Sequence, residues 1–284
     1  MYNILLAIDN SDFSRNALEM SIEIAQNIGA KINVLFVIEN KMLYHPLGAM
    51  VFNPVIDSFD MGETYSDIYE TAREKLRKLG KKVFEETNQV CQKKGVETVC
   101  YLREGILAEE IKELAFENDL VVMGRYGLSS KYSGTLLGSA VEEVCRIINR
   151  PLLLVPEKKT KIRKIAVAYD NSLFAQKTFK LGNWMDSIWK DELKFEMFSV
   201  VDDKKAEKEM QEILEGLTKE KENFTYKVLD SIEPASMILN HVQENDIDLL
   251  MMGAYGHSRI RELILGSTTS EVLRKIDKPV LLYR

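Results

Sequence analysis

Long apolar runs, closely spaced cysteines and basic stretches are all missing from this 284-residue chain. Each absence removes a class of function. Nowhere do about 18 apolar residues run together, so no membrane span is expected. The opening MYNILLAIDNS lacks the basic region and apolar stretch of a secretory signal. Cys91, Cys100 and Cys145 are the three cysteines, and no two have the spacing of a zinc or dithiol motif. An odd, scattered set fits a reducing compartment, so a cytoplasmic protein is expected. The formal net charge of −6 and the lack of basic runs interleaved with aromatics argue against nucleic acid or an anionic membrane as partners. Three catalytic signatures are absent as well: a G-x-x-x-x-G-K-[ST] loop, a G-x-G-x-x-G turn and a G-x-S-x-G elbow. With no nucleophile, base or metal set in view, a binding site is expected and an enzyme is not.

What the chain does contain is a repeat. Its length suits two domains, and 45% apolar residues can furnish two cores. Apolar runs at 3–8, 31–38 and 97–102 read as strands buried on both faces. Helical spacing covers 11–28, about 65–94 and 106–118, and Pro151 leads a last strand to Val155. After the linker PEKKTKIR the pattern restarts, with strands at 164–170, 193–201, 225–229, 247–252 and 280–283 and a helix at 234–245. Domains 1–157 and 162–284 follow. Asp9-Asn10-Ser11 returns as Asp170-Asn171-Ser172. Between its second and third strands the first half carries an apolar segment, 42–61, and a long helix. The second half is shorter there, so little cover is expected over its sheet edge. The apolar segment suits a lid, a dimer contact or a seat for an apolar ligand or protein partner.

The residues that promise chemistry follow the fourth strand of each half. They are Gly124, Gly127, Gly138 and Ser139 in the first half, and Gly253, Gly256, Gly266, Ser267 and Thr268 in the second. A glycine loop that opens a helix can bring backbone N–H groups and the positive end of a helix dipole to an anion. Asp9 and Asp170 end the first strands and face the same crevice. Each can accept from a ribose hydroxyl or a base amine, or can serve as a helix cap or turn residue. His257 follows Gly256 and is the best-placed cation for a phosphate. Arg125, Lys131, Arg259 and Arg261 read as solvated surface charges. His45 and His241 show no partner that suggests a metal.

At these residues the chain resembles the tandem, two-domain form of the universal stress protein family. That family's motif is G-x2-G-x9-G-[ST]. Gly253, Gly256, Gly266 and Ser267 match it in full, whereas Gly124, Gly127, Gly138 and Ser139 carry one extra residue. The resemblance implies an α/β fold, with two open five-stranded parallel sheets of order 3-2-1-4-5, each covered by helices. Such sheets are flavodoxin- or Rossmann-like, of the adenine nucleotide alpha-hydrolase type. It also implies an internal pseudo-dimer through the last strands, and it allows a homodimer. ATP, with or without Mg2+, is the implied ligand, and a regulatory role in stress response the implied function. Ala7, Asp9, Val37 and Met123 would line one adenine pocket, and Ala168, Asp170, Val200 and Met252 the other. The glycines and Ser/Thr residues would take the ribose and phosphates.

Overall fold

The computed structural model describes residues 1–39, 65–127, 139–189, 192–254 and 265–284. The apolar segment 42–61, Gly138, Gly256, His257, Lys131, Arg259, Arg261 and His45 lie outside the described residues. The chain forms two compact units, Met1–Val144 and Cys145–Arg284.

Unit 1 holds β1 (Asn3–Ala7), α1 (Asp12–Ile28), β2 (Lys31–Glu39), α2 (Tyr65–Lys93), β3 (Thr98–Gly105), α3 (Leu107–Ala115) and β4 (Leu120–Gly124). Parallel pairing places these strands in the order β3-β2-β1-β4. Ile4, Leu5 and Leu6 of β1 are fully buried. Strands of a parallel sheet are covered on both faces, which is why β1 and β2 are continuous apolar runs. Helix α1 starts where the Ser11 side chain accepts from the Ser14 N–H and stops at Gly29, whose φ is 64°. Strand β3 runs three residues beyond the 97–102 read from the sequence. The reason is register: β2 is long enough to pair on through Ile38 with Glu104 and Glu39 with Gly105.

Helix α4 (Ser139–Ile147) crosses the division between the units. Unit 2 then contains β5 (Leu152–Val155), β6 (Lys164–Ala168), α5 (Leu173–Trp189), β7 (Lys194–Val201), α6 (Lys204–Thr218) and β8 (Phe224–Asp230). It ends with α7 (Pro234–Glu244), β9 (Leu249–Gly253), α8 (Ser267–Lys275) and β10 (Val280–Tyr283). Parallel pairs give β8-β7-β6-β9-β10, and β5 adds antiparallel to β10, with Leu154 opposite Val280. The last strand of the first sequence repeat therefore packs inside the second compact unit. The second half is also better covered than its sequence suggested. Helix α6, capped by Asp203 accepting from Ala206 N–H, buries Leu214 and Thr218 beside β8. In the same unit Phe195 stacks on Phe224 at 4.5 Å, filling the space under α5 and α6 with aromatic carbon.

Candidate functional site

The carboxyl ends of β6, β7 and β9 and the first turn of α8 surround a cavity of about 330 Å³ in unit 2. Its lining includes Ala168, Asp170, Val200, Met252, Gly253, Gly266, Ser267 and Thr268. Eight residues singled out from the sequence thus meet around one space. A cavity of this size lies at the lower end of small-molecule sites.

One wall is an anion-friendly helix end. Gly266 is the N-cap of α8, and without a side chain it offers no cap hydrogen bond to the first turn. Residues 266–269 all border the cavity. The first-turn N–H groups and the positive end of the helix dipole therefore serve that side, with the hydroxyls of Ser267 and Thr268 beside them. Thr269 turns back to hold the end of β9, its hydroxyl donating to the Gly253 carbonyl at 3.3 Å.

The apolar lining extends beyond the expected Val200 and Met252. Phe198 joins Val200 from β7, while Pro234 and Ile238 come from α7. Strand alternation from Val200 would have found Phe198, and the i, i+4 spacing of Pro234 and Ile238 marks one helix face. Tyr169 and Thr269 complete the additions. The Tyr169 phenol is buried and donates to Asn171 Oδ1 at 3.2 Å. Burial, and then the neighbouring Asp170 charge, push its pKa up.

Asp170 enters through a turn that both halves share. Its Oδ1 accepts the Ser172 N–H at 3.0 Å, and Asn171 follows with φ 62°. In unit 1 Asp9 Oδ1 accepts the Ser11 N–H at 3.1 Å and its hydroxyl at 2.6 Å, and Asn10 has φ 66°. Asparagine tolerates this left-handed conformation better than most residues. Asp9 also accepts a short hydrogen bond from the Ser14 hydroxyl. Position 175, the counterpart of Ser14, is alanine, so unit 2 has no hydroxyl there. Both readings of these acids thus hold in part: each is a turn residue, and Asp170 also borders the cavity.

The glycines divide into two kinds. A Cβ on Gly124 would lie 2.7 Å from Phe13 Cβ, and one on Gly253 would lie 3.0 Å from Phe174 Cβ. These first glycines make room for the helix that follows the Asp turn, so their smallness serves packing. Gly127 is different, because a Cβ there would meet Asp9 Oδ2 at 2.6 Å. It allows the carboxylate to approach the loop. In unit 1, Ala7 pairs with Met123, and Val37 sits on β2 opposite Arg103. All three of Ala7, Met123 and Val37 are buried. Ser139 begins α4.

Arg125 departs from expectation. It was read as a solvated surface charge, yet it is 3% exposed, whereas unit 2 has Ala254 at the matching place. The first loop packs this guanidinium into the unit. Among the described residues no cluster of three or more His, Cys, Asp or Glu could hold a metal ion, and no helix is long and apolar enough to cross a membrane.

Comparison with known proteins settles the family. The model for the universal stress protein family matches residues 1–156 and again 161–284. The chain belongs to the universal stress protein family. It is 31% identical over 300 residues to universal stress protein Slr1230 of Synechocystis, with 100% of both chains covered. Against universal stress protein YxiE of Bacillus subtilis it is 28% identical over 159 residues, covering 55% of this chain and 99% of that one. Among solved structures, a universal stress protein from Archaeoglobus fulgidus matches with a TM-score of 0.75 at 21% identity, over 99% of this chain and 98% of the other. That likeness supports the tandem α/β fold.

Proposed function

We propose that this universal stress protein binds an adenine nucleotide in the unit 2 cavity and uses its occupancy as a regulatory signal in the cytoplasm. The observation that carries the reading is the pairing of two unlike walls. Phe198, Val200, Ile238 and Met252 offer a planar base an apolar slot, and the uncapped first turn of α8 offers phosphate its N–H groups. Asp170 also borders the cavity, where a carboxylate suits a ribose hydroxyl or an exocyclic amine. The residues present therefore fit the group. When bound, the nucleotide supplies a phosphate chain, with Mg2+ as its counter-ion, and the chain's own residues bind and orient it. The reading is of a binding protein, because the titratable side chains among the described lining residues are Tyr169 and Asp170, and the Tyr169 phenol, pushed up by burial from a value already far above neutral, stays protonated.

The test is calorimetry of the full chain with ATP and magnesium, together with extraction of any co-purified nucleotide. One solved universal stress protein is a complex with cAMP, so cAMP belongs in the same titration. Binding at micromolar concentration that is lost when Gly266 and Ser267 are replaced supports the reading. Co-purified lipid with no nucleotide would favour an apolar ligand and defeat it.

A further inference from the structure

One layer beneath the cavity, unit 2 buries a set of charged groups that the nucleotide reading does not use. Register fixes the layers. Ala168 pairs with Phe198 at cavity level, and Ala166 pairs with Glu196 in the layer below. Along α7, His241 follows the cavity-lining Ile238 by three residues and therefore shares its face. His241 is 3% exposed. Its Nε2 forms a short hydrogen bond with Glu196 Oε1, and Lys164 Nζ lies 3.4 Å from Glu196 Oε2. The His241 ring packs 4.6 Å from the ring of Phe198, which lines the cavity.

The partners define which form of the imidazole fits. Asn245 Nδ2 donates to the His241 carbonyl at 2.9 Å and lies 3.1 Å from His241 Nδ1. Reversing the amide would set two carbonyl oxygens together, so Nδ2 is the atom facing the ring. Nδ1 is therefore the acceptor, and Nε2–H donates to the carboxylate. These partners fit the neutral imidazole. A proton added at Nδ1 would face an N–H donor and displace the Asn245 side chain. Asn245 is the C-cap of α7, and its carbonyl accepts from Lys164 Nζ at 3.0 Å. A second positive charge would also enter a layer where Lys164 already balances Glu196. Other charged groups on this sheet face are Lys194, Lys227 and Asp248, and Asp248 is engaged by the N–H groups of Arg163 and Lys164. From α8 the buried residues are Thr269, Val272 and Leu273, none of which titrates near neutral pH.

Unit 1 has the same asparagine in a neutral setting. Asn118, preceded by glutamate and followed by aspartate as Asn245 is, accepts from Asn33 Nδ2 at 2.9 Å, and Leu114 stands where unit 2 has His241. Only the second half couples this asparagine to a histidine.

We propose that His241 is a positioning residue whose neutral form holds α7 and Phe198 in place, so that proton uptake by this residue weakens nucleotide binding in the cavity above. The inference rests on the nucleotide reading for its ligand but not for its structural half. Two readouts on the full chain separate them. The first is amide hydrogen exchange across α7 without ligand, corrected for intrinsic rates. The second is calorimetry with ATP and magnesium. Both compare about pH 7.5 with about pH 5.5, in the wild type and in His241→Gln, which keeps a donor but does not titrate. Dividing wild-type by variant affinity cancels the titration of the phosphate. A severalfold fall in α7 protection at the lower pH, in the wild type alone, and a matching fall in the ratio of wild-type to variant affinity are expected. Equal pH responses in wild type and variant overturn the proposal. If His241→Gln does not fold, the pair Glu196→Asn with His241→Leu, which copies unit 1, takes its place, and a wild-type pH response in that chain is equally fatal. No ATP binding at any pH refutes the nucleotide reading and the coupling with it, whatever the exchange shows.

Discussion

The two halves build one turn and one asparagine site from different chemistry. Asn33 and Asn118 meet as neutral amides in unit 1, where unit 2 places Glu196, His241 and Asn245 with Lys164. Asp9 is tied by two serine hydroxyls, whereas the matching position beside Asp170 is Ala175. The first loop buries Arg125 where the second has Ala254. A duplicated fold can therefore keep its frame while its two copies fill the same places with different polar groups.

The largest expected effect lies in the buried charges. Glu196→Ala leaves His241 and Lys164 without their carboxylate and should cost unit 2 about 3 kcal/mol or more. Asn33→Ala removes a neutral hydrogen bond and should cost unit 1 about 1 kcal/mol. Urea unfolding followed by exchange probes within each unit measures both, and equal losses would erase the contrast. Next come the packing glycines. Gly124→Ala should destabilise by about 1–3 kcal/mol, and more than Gly253→Ala, because its Cβ would meet Phe13 at 2.7 Å and the other would meet Phe174 at 3.0 Å. Thermal melts rank the two, and the reverse order would show that the frame yields more easily in unit 1. Smaller again is Ser14→Ala, about 1 kcal/mol, which gives unit 1 the alanine that unit 2 already has.

The smallest contrast is in acid. The short hydrogen bond from His241 keeps the Glu196 carboxyl below its usual range, and Arg73 followed by Arg77 does the same for Glu104. A depressed carboxyl pKa means stability that is complete above the ordinary carboxylate value and lost as pH falls through the folded one. Unit 2 should lose more as pH falls below the ordinary carboxylate range, because Glu196 is 13% exposed and Glu104 29%. Exchange measured along an acid titration checks the order.

Much of the frame was legible because its signals are local. Apolar runs marked β1, β2, β6 and β9, and helical spacing over 11–28 marked α1. The Asp and Gly-Ser positions of unit 2 could be placed around one crevice from their repeat alone. The rest depends on register, which brings together residues far apart in sequence. His241 and Glu196 are separated by 45 positions, and nothing in the neighbourhood of either names the other. Phe198 and Ile238 became wall residues only once pairing showed which face of β7 meets α7. Arg125 looked exposed because charge usually is, and the packing around a loop cannot be read from composition. The packing role of Gly124 and Gly253 was hidden because the helix start that crowds them lies more than 75 residues earlier, at Phe13 and Phe174.

The central claim is that nucleotide sits in the unit 2 cavity, and bound nucleotide per chain tests it most directly. Native mass spectrometry of the wild type, of Val200→Trp and of the matching Val37→Trp counts the ligand in each. The prediction is that Val200→Trp, whose ring would fill the slot, removes one equivalent that Val37→Trp retains. No nucleotide in the wild type, or an unchanged count in Val200→Trp, would contradict it.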